Sequence, residues 1–158
     1  MTASAASVIG TELKATIDIS APPAQVWALV TDVRRMSSWS PQVARTIVFG
    51  GPVRLGTRFL NLNHDGWKHW PTTAQVVRFA PHTDFAFRIG ENRTVWSFAL
   101  EEVEGGTRVT QRRETPDGIS AVSNALVRIG LGGQERFVAD LREGMSQTLE
   151  RMRSELEV

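Results

Sequence analysis

The last stretch of the chain, residues 135–157, carries the clearest pattern of apolar and polar positions. Charged residues separate apolar ones that recur every three or four positions, so the spacing predicts one amphipathic helix with a single buried face. A helix of about 22 residues is ~33 Å long, enough to cross the sheet of a small domain. Its predicted buried face consists of Phe137, Leu141, Met145, Leu149, Met152 and Leu156, flanked by Val138 and Thr148.

Gly144 interrupts this buried face, one turn from Leu141 and beside Met145. A glycine inside a helix costs roughly 1 kcal/mol relative to alanine. Two explanations remain open from the sequence. A strand or a bulky core residue approaches the helix closely at this point, or the missing side chain leaves space for a ligand.

Upstream of the helix, short runs of alternating apolar and polar residues predict strands. The first run is Leu13–Ile19. Ser20 and the prolines that follow it predict a short helix carrying Val26–Val30, with Ser20 as its cap, and Asp32 predicts the N-cap of a second short helix that ends at Trp39. Six further strands are predicted at Val43–Phe49, Thr57–His64, Trp67–Phe79, Asp84–Ile89, Thr94–Glu101 and Thr107–Glu114.

The turns between these strands are short, which favours one antiparallel sheet because parallel pairing needs long crossovers. Asp65-Gly66 is predicted as the two central residues of a hairpin turn, which places Leu62 opposite His69. The predicted fold is α+β, a curved antiparallel sheet of about seven strands wrapped around the long C-terminal helix, with two short helices after the first strand. Residues 1–10 are predicted as a flexible tail, residues 11–158 as a single domain, and residues 121–131 as a lid over the space between helix and sheet.

Composition narrows the function. The chain has 158 residues, a net charge of +1 and no cysteine. The small net charge gives no reason to expect nucleic acid as a partner, and the lack of cysteine excludes disulfides and thiolate chemistry. No apolar run approaches the ~20 residues of a membrane span, and the N-terminal residues lack the pattern of a signal peptide. We therefore expect a cytoplasmic protein without stable membrane insertion, as a monomer or homodimer.

Four stretches of the chain resemble the START-like or Bet v 1-like (SRPBCC) superfamily, whose fold is called a helix-grip. They are the strand and proline-initiated helix of Ile17–Trp27, the pair Thr31-Asp32 followed by Trp39-Ser40-Pro41, the turn and strand of Glu104–Thr110, and the long closing helix. Within the superfamily the chain is most similar to bacterial polyketide cyclase/dehydrase-like proteins. The resemblance implies a cavity between sheet and helix that takes an apolar, lipid- or polyketide-like molecule, without a cofactor. It leaves cyclase or dehydratase (lyase) activity open, because a fold does not determine function.

The predicted hairpin around Asp65-Gly66 contains two histidines beside an aspartate, residue types that can carry chemistry. His64, His69 and Asp65 could suggest a metal site, but the ligand set is incomplete and the turn is exposed, so no metal is predicted. Either His64 or His69 could act as a general base, and His69 is the catalytic candidate of the two, although the spacing places no nucleophile or carboxylate beside them.

The last predicted strand offers two polar residues to the cavity. Gln111 and Arg113 share the face of the apolar Val109, and Arg113 could polarise a carbonyl or pair with a carboxylate of a ligand. Alternatively, Arg113 pairs with Glu114 or Asp117 outside the cavity mouth. Arg113 joins His69 as a candidate catalytic residue. The predicted ligand-binding residues are Trp39, Phe59, Asn61, Trp70, Phe87, Trp96, Phe98, Gln111, Arg113, Leu141, Gly144 and Met145, and for Phe59, Asn61 and Trp70 the alternative is ordinary core packing.

Two hypotheses for function follow. In the first, the protein binds an apolar small molecule in the cavity, with or without cyclase or dehydratase activity. In the second, it is a protein-interaction or chaperone-associated module whose cavity is small or collapsed. A cavity of ~300 Å³ or more favours the first hypothesis, and a filled core favours the second.

Overall fold

A computed structural model of the chain describes residues 12–115 and 134–157. Seven strands form one antiparallel sheet in the order β1-β7-β6-β5-β4-β3-β2, so the predicted α+β helix-grip architecture is confirmed. The predicted tail and lid lie outside the described residues. The strands are β1 Leu13–Ile19, β2 Val43–Phe49, β3 Arg58–Asp65, β4 Lys68–Ala80, β5 Asp84–Ile89, β6 Val95–Val103 and β7 Gly106–Glu114, and the helices are α1 Pro23–Val30, α2 Met36–Trp39 and α3 Gln134–Leu156.

The long helix α3 lies against β1, β7 and the two short helices. The predicted buried face of α3 is confirmed for the side chains that the structure describes, which include the buried Met145, Leu149 and Met152. Polar contacts hold the C-terminal end of α3. The backbone N–H of Ser20 donates to Glu157 Oε2 at 2.7 Å, and Arg35 forms an ion pair with Glu155. Within the described residues, no helix has the length and apolar character needed to cross a membrane.

The two halves of α3 have different neighbours. Leu149 and Met152 belong to the main core, which also contains α1, α2 and the inner face of the sheet. Met145, one turn earlier, packs in a smaller cluster with Leu13 and Val138. The C-terminal half of the helix therefore closes the core, while the preceding turns border a separate space.

One predicted helix cap is wrong, and the other caps a 3₁₀ turn instead of the α-helix. Pro22, not Ser20, occupies the cap position of α1. Pro23 follows as the first helical residue, where proline is favourable because an N–H at that position would have no partner within the helix. Asp32 precedes a 3₁₀ turn, Val33–Arg35, and its side chain makes no capping hydrogen bond. This extra turn separates Asp32 from α2.

The β3–β4 hairpin turns one residue later than predicted. Gly66 and Trp67 are its central residues, and Asp65 pairs with Lys68. Of the two central residues, Gly66 alone has a positive φ, at 64°, as in a type II′ turn, where glycine takes the first central position. The predicted turn would have required a positive φ at Asp65 as well, which an L-residue adopts only at a cost.

The later turn changes the cross-strand partners. Leu62 faces Pro71 instead of His69, so that predicted pairing is wrong, and His64 pairs with His69. Each residue of β3 meets a partner two positions further along β4 than predicted. Because side chains alternate with a period of two, this shift keeps every residue on its predicted face of the sheet.

Candidate ligand-binding cavity

A cavity of about 270 Å³ lies between the inner face of the sheet and the first half of α3. Its volume is just under the ~300 Å³ that separates the two hypotheses, so the character of its wall is the more informative property. The structure places eleven of the twelve predicted residues in that wall: Trp39, Asn61, Trp70, Phe87, Trp96, Phe98, Gln111, Arg113, Leu141, Gly144 and Met145.

Phe59 is the predicted residue that does not line the cavity. Its side chain is fully buried in the main core and packs edge-on against Phe87, with ring centroids 5.3 Å apart. Both residues belong to the main core, but Phe87 also lines the cavity and Phe59 does not. For Phe59, core packing is therefore what the structure shows.

Aromatic side chains make the wall largely apolar. Trp39, at the end of α2, packs edge-on against Phe98 of β6 with ring centroids 5.8 Å apart. Trp96 lies two residues before Phe98 on the same face of β6 and is half-buried. Trp70 of β4 is 39% exposed, which places part of its ring at the rim of the cavity.

Gly144 borders open space. A Cβ added to this residue would meet nothing within 4 Å, apart from its own helix, in the part of the chain that the structure describes. The explanation that a strand or bulky side chain approaches closely there is thus ruled out for the described residues. Across the space from α3 lie the aromatic residues of β5 and β6.

Two asparagines in the wall are satisfied by neighbouring residues. Thr46 Oγ1 donates to Asn61 Oδ1 at 2.6 Å. Asn63 Nδ2 donates to Thr72 Oγ1 at 2.9 Å and to the carbonyl oxygen of Trp70 at 3.2 Å. Because these hydrogen bonds join β2, β3 and β4, the asparagines support the wall as well as lining it.

Gln111 and Arg113 of β7 are 5% and 4% exposed. Burial lowers the pKa of the Arg113 guanidinium to about 10, so the group remains protonated at neutral pH. Glu114 lies on the other face of the sheet, where its Oε2 accepts hydrogen bonds from Arg78 and Ser97. Arg113 is therefore in the cavity wall and not outside the mouth, and Asp117 lies outside the described residues.

His69 lies outside the cavity. It is exposed on the outer face of β4 and stacks with His64 at a centroid distance of 6.3 Å. Within the described ranges, no group of three or more His, Cys, Asp and Glu side chains could hold a metal ion. The arrangement supports binding by shape and by a few polar contacts inside the cavity.

Several wall residues were not predicted, although the period of their element could have indicated some of them. Asn63, Thr72 and Ile89 each follow a predicted wall residue by two positions along a strand, and Thr148 follows Gly144 by four along α3. Asp140 precedes Gly144 by the same four positions, but its charge marked it as part of the outer face. No periodic signal in the sequence places the others, which are Met36, Ser40, Pro41, Gln42, Val43 and Asn92.

The sequence matches a family model over residues 10–157, nearly its whole length. That family is described as polyketide cyclase / dehydrase and lipid transport. No curated protein matches the chain.

Several solved structures have the same fold. The Polyketide_cyc-like protein Cgl2372 from Corynebacterium glutamicum is 25% identical, with 93% of this chain and 91% of that chain aligned and a TM-score of 0.63. The di-domain ARO/CYC StfQ from the steffimycin biosynthetic pathway is 10% identical, with 96% of this chain and 52% of that chain aligned and a TM-score of 0.78. The Aha1 dimer from Colwellia psychrerythraea is 18% identical, with 94% of this chain and 97% of that chain aligned and a TM-score of 0.65. The last two likenesses concern the fold alone.

Proposed function

Because the chain belongs to the polyketide cyclase / dehydrase and lipid transport family, we propose that it binds an apolar, lipid- or polyketide-like small molecule in the cavity beside α3. The observation that carries this proposal is the open space at Gly144, which faces an aromatic wall. A glycine on the inner face of a helix lowers stability, and packing against the described residues does not require it here, because none of them comes within 4 Å of a Cβ at this position. An apolar cavity with a few polar groups is the usual form of a small-molecule site.

Cyclase or dehydratase activity is the second candidate, and the position of Arg113 favours it. A protonated guanidinium inside an apolar wall stabilises negative charge that develops on a carbonyl oxygen more strongly than it does in water. The surrounding aromatic residues would hold a flexible chain in a folded conformation, which lowers the entropic part of the barrier. His69 has no part in this proposal because its side chain faces away from the cavity.

The protein-interaction module remains the alternative, and it predicts a filled core. Gly144→Leu separates the two proposals because the leucine side chain would occupy the open space. We expect the Gly144→Leu protein to fold, since a Cβ at this position meets no described residue within 4 Å. It should lose at least about tenfold in affinity for the neutral fluorescent dye prodan. Fluorescence titration of the purified protein measures the affinity, and circular dichroism verifies the fold.

Two variants control this experiment. Ser146→Leu adds the same side chain on the exposed face of α3 and should leave dye affinity unchanged. Gly144→Ala adds one methyl group and should retain most of the binding. Equal dye affinity in wild type and Gly144→Leu, or absence of any saturable binding to wild type, would contradict the proposed ligand site and favour the interaction module.

A further inference from the structure

The outer face of β2 and β3 exposes large apolar side chains. On β2, Ile47 is 36% exposed and Phe49 is 58% exposed, and on β3 Leu62 is 37% exposed. Thr46 and Val48 alternate with the two β2 residues and point to the inner face, where Thr46 is buried and Val48 packs on the core. A sheet face that meets water is ordinarily polar, so an exposed apolar group of this kind indicates a contact surface.

Three direct cross-strand pairs, each with at least one apolar member, make up this outer surface. They are Arg45 with Leu62, Ile47 with Leu60, and Phe49 with Arg58, and together these six residues are called the β2–β3 face. Both arginines are exposed, at opposite corners of the face. Because the stem of an arginine is apolar and its guanidinium is charged, the side chain can lie on an apolar neighbour and still present its charge outwards. The β2–β3 face therefore combines positive charge with apolar surface.

The arginines of the β2–β3 face differ from other arginines of the sheet in their electrostatic neighbours. Within the described ranges, no Asp or Glu side chain forms an ion pair with Arg45 or Arg58. On another part of the outer face, Arg108 of β7 pairs with Asp18 of β1 at 2.9 Å. The charge of the β2–β3 face is thus available to a partner from outside the chain.

Positive charge extends around the β2–β3 face. Residues 33–64 contain five arginines and no Asp, Glu or Lys. One of the five, Arg35, pairs with Glu155 of α3. Another, Arg54, lies in the loop that joins β2 and β3, next in sequence to Leu55, which is 63% exposed. The net charge of the whole chain is only +1, so this region is a local concentration of positive charge.

Charges of both signs lie at the border of the β2–β3 face. Glu91 accepts a hydrogen bond from the backbone N–H of Thr73 at 2.8 Å, and Thr73 is the β4 partner of Leu60. Arg88 of β5 lies on the same side, in one cross-strand row with Arg58 through a residue of β4. Because these two border charges have opposite signs, the β2–β3 face keeps the charge of its own arginines.

A partner of this surface has to accept hydrogen bonds from arginines and also cover apolar side chains. Nucleic acid supplies phosphates, but its backbone does not bury aliphatic side chains such as Ile47 and Leu62. A second copy of the chain would bring the arginines of two β2–β3 faces together, and like charges repel. A bilayer of anionic phospholipid meets both requirements, because its phosphates lie directly above an apolar layer.

We propose that the β2–β3 face docks on the surface of a bilayer that contains anionic phospholipid. The arginines bind lipid phosphates, and Ile47, Phe49 and Leu62 enter the boundary between headgroups and acyl chains. This contact is peripheral and involves no membrane span. It does not depend on a ligand in the cavity, because the cavity wall is built from the inner face of these strands and the docking surface from their outer face.

Sedimentation with sucrose-loaded vesicles tests the proposal. One set of vesicles consists of phosphatidylcholine, and the other is an equal mixture of phosphatidylcholine and anionic phosphatidylglycerol. We expect wild type to bind the mixed vesicles at least about tenfold more tightly, because each arginine near an anionic surface adds to the attraction. Raising the salt concentration from ~0.1 M to ~0.5 M should remove most of this preference, because salt screens exposed charges.

A double variant locates the charged contact. Arg45→Gln combined with Arg58→Gln should lower the affinity for mixed vesicles about tenfold and leave the affinity for phosphatidylcholine vesicles nearly unchanged. The control is Arg108→Gln combined with Arg112→Gln, which removes the same net charge from arginines that already pair with carboxylates of the chain. This control should lose no more than about twofold in affinity for the mixed vesicles, because charges that are already paired attract anionic lipid less.

A single substitution tests the apolar contact. Phe49→Ser should lower the affinity for mixed vesicles about fivefold, because an aromatic ring no longer enters the interface, and should keep the salt dependence of wild type. Trp67→Ser is the control, since Trp67 is 84% exposed at the opposite end of the β3–β4 hairpin. Circular dichroism verifies the fold of each variant. Prodan titration without vesicles should give the wild-type affinity in all of them, since none of the substituted residues lines the cavity.

The outcomes separate this inference from the proposed function. Wild type that binds neither kind of vesicle, or both equally, overturns the inference, and so does a double Arg45/Arg58 variant that binds like wild type. An equal loss in the Arg108/Arg112 control would overturn it too, because net charge and not the β2–β3 face would then hold the protein on the vesicle. In each case the prodan titration still decides the proposed function, because it measures the cavity without lipid.

Discussion

At the scale of single residues, Arg113 combines burial with charge. Its pKa of about 10 leaves the guanidinium protonated throughout the neutral range. A positive charge in an apolar wall favours an anionic or carbonyl-bearing ligand over a hydrocarbon, because a hydrogen bond to a charged group is stronger than one between neutral groups. The charge of Arg113 therefore mainly affects the choice between ligands, and it has less effect on the binding of apolar ligands in general.

Arg113→Leu should weaken binding of an anionic naphthalenesulfonate dye by about 1.5–3 kcal/mol while leaving the neutral dye prodan nearly unaffected. In wild type, affinity for the anionic dye should stay constant from neutral pH until the pH approaches about 10. Above that pH the affinity should decrease, because deprotonation removes the positive charge of Arg113. Fluorescence titrations across pH measure both effects. Arg112→Leu, next in sequence but on the outer face where Arg112 binds Glu12, is the control. An equal loss for both dyes would contradict a charge-specific role.

At the scale of elements, the buried face of α3 contributes more to stability than its exposed ion pair between Glu150 and Arg153. Leu149 is 2% exposed in the main core, so Leu149→Ala should lower the free energy of unfolding by about 2–5 kcal/mol. Glu150 is exposed and forms an ion pair with Arg153, and Glu150→Ala should change stability by no more than about 0.5 kcal/mol. Denaturant unfolding measures both values. Equal denaturant midpoints for the two variants would contradict the burial of Leu149 in the main core.

The β3–β4 turn is an element whose geometry depends on one backbone angle. Gly66 has a φ of 64°, and Gly66→Ala should cost about 1–2 kcal/mol, the penalty of a left-handed conformation for a residue with a Cβ. Gly51 lies in a loop, with no positive φ and with open space around it, so Gly51→Ala should be close to neutral. Thermal unfolding compares the two variants. A stable Gly66→Ala protein would mean that the hairpin does not use the type II′ turn.

At the scale of the whole molecule, a ligand that binds only the folded protein stabilises it through mass action. Prodan at 100 times its Kd should raise the free energy of unfolding of wild type by about 2.7 kcal/mol. Gly144→Leu should show no such increase at the same dye concentration, because the leucine occupies the cavity. Chemical unfolding with and without dye provides the measurement. The same stabilisation in both proteins would place the dye at another site.

Much of this architecture could be predicted because buried apolar residues recur in the sequence with the period of their helix or strand. The alternation along β5 and β6 marks Phe87, Trp96 and Phe98 as apolar positions, and the spacing along α3 marks Leu141 and Met145 as facing the sheet. The same reasoning could not separate Phe59 from Phe87. Both alternate inward, and only the packing of residues from distant parts of the chain decides that Phe87 lines the cavity while Phe59 is enclosed in the core.

For this protein, the sequence alone determined the order of the strands and helices, the face that each element buries and the presence of a glycine on the inner face of α3, because these properties depend on residues close together in the chain. Only the tertiary structure decided the register of the β3–β4 hairpin and, among the described residues, the open space at Gly144 and the lack of a hydrogen-bond partner at Trp39 Nε1 and Gln111 Oε1. Those features depend on which atoms from distant parts of the chain meet, and the period of apolar residues carries no information about such distances.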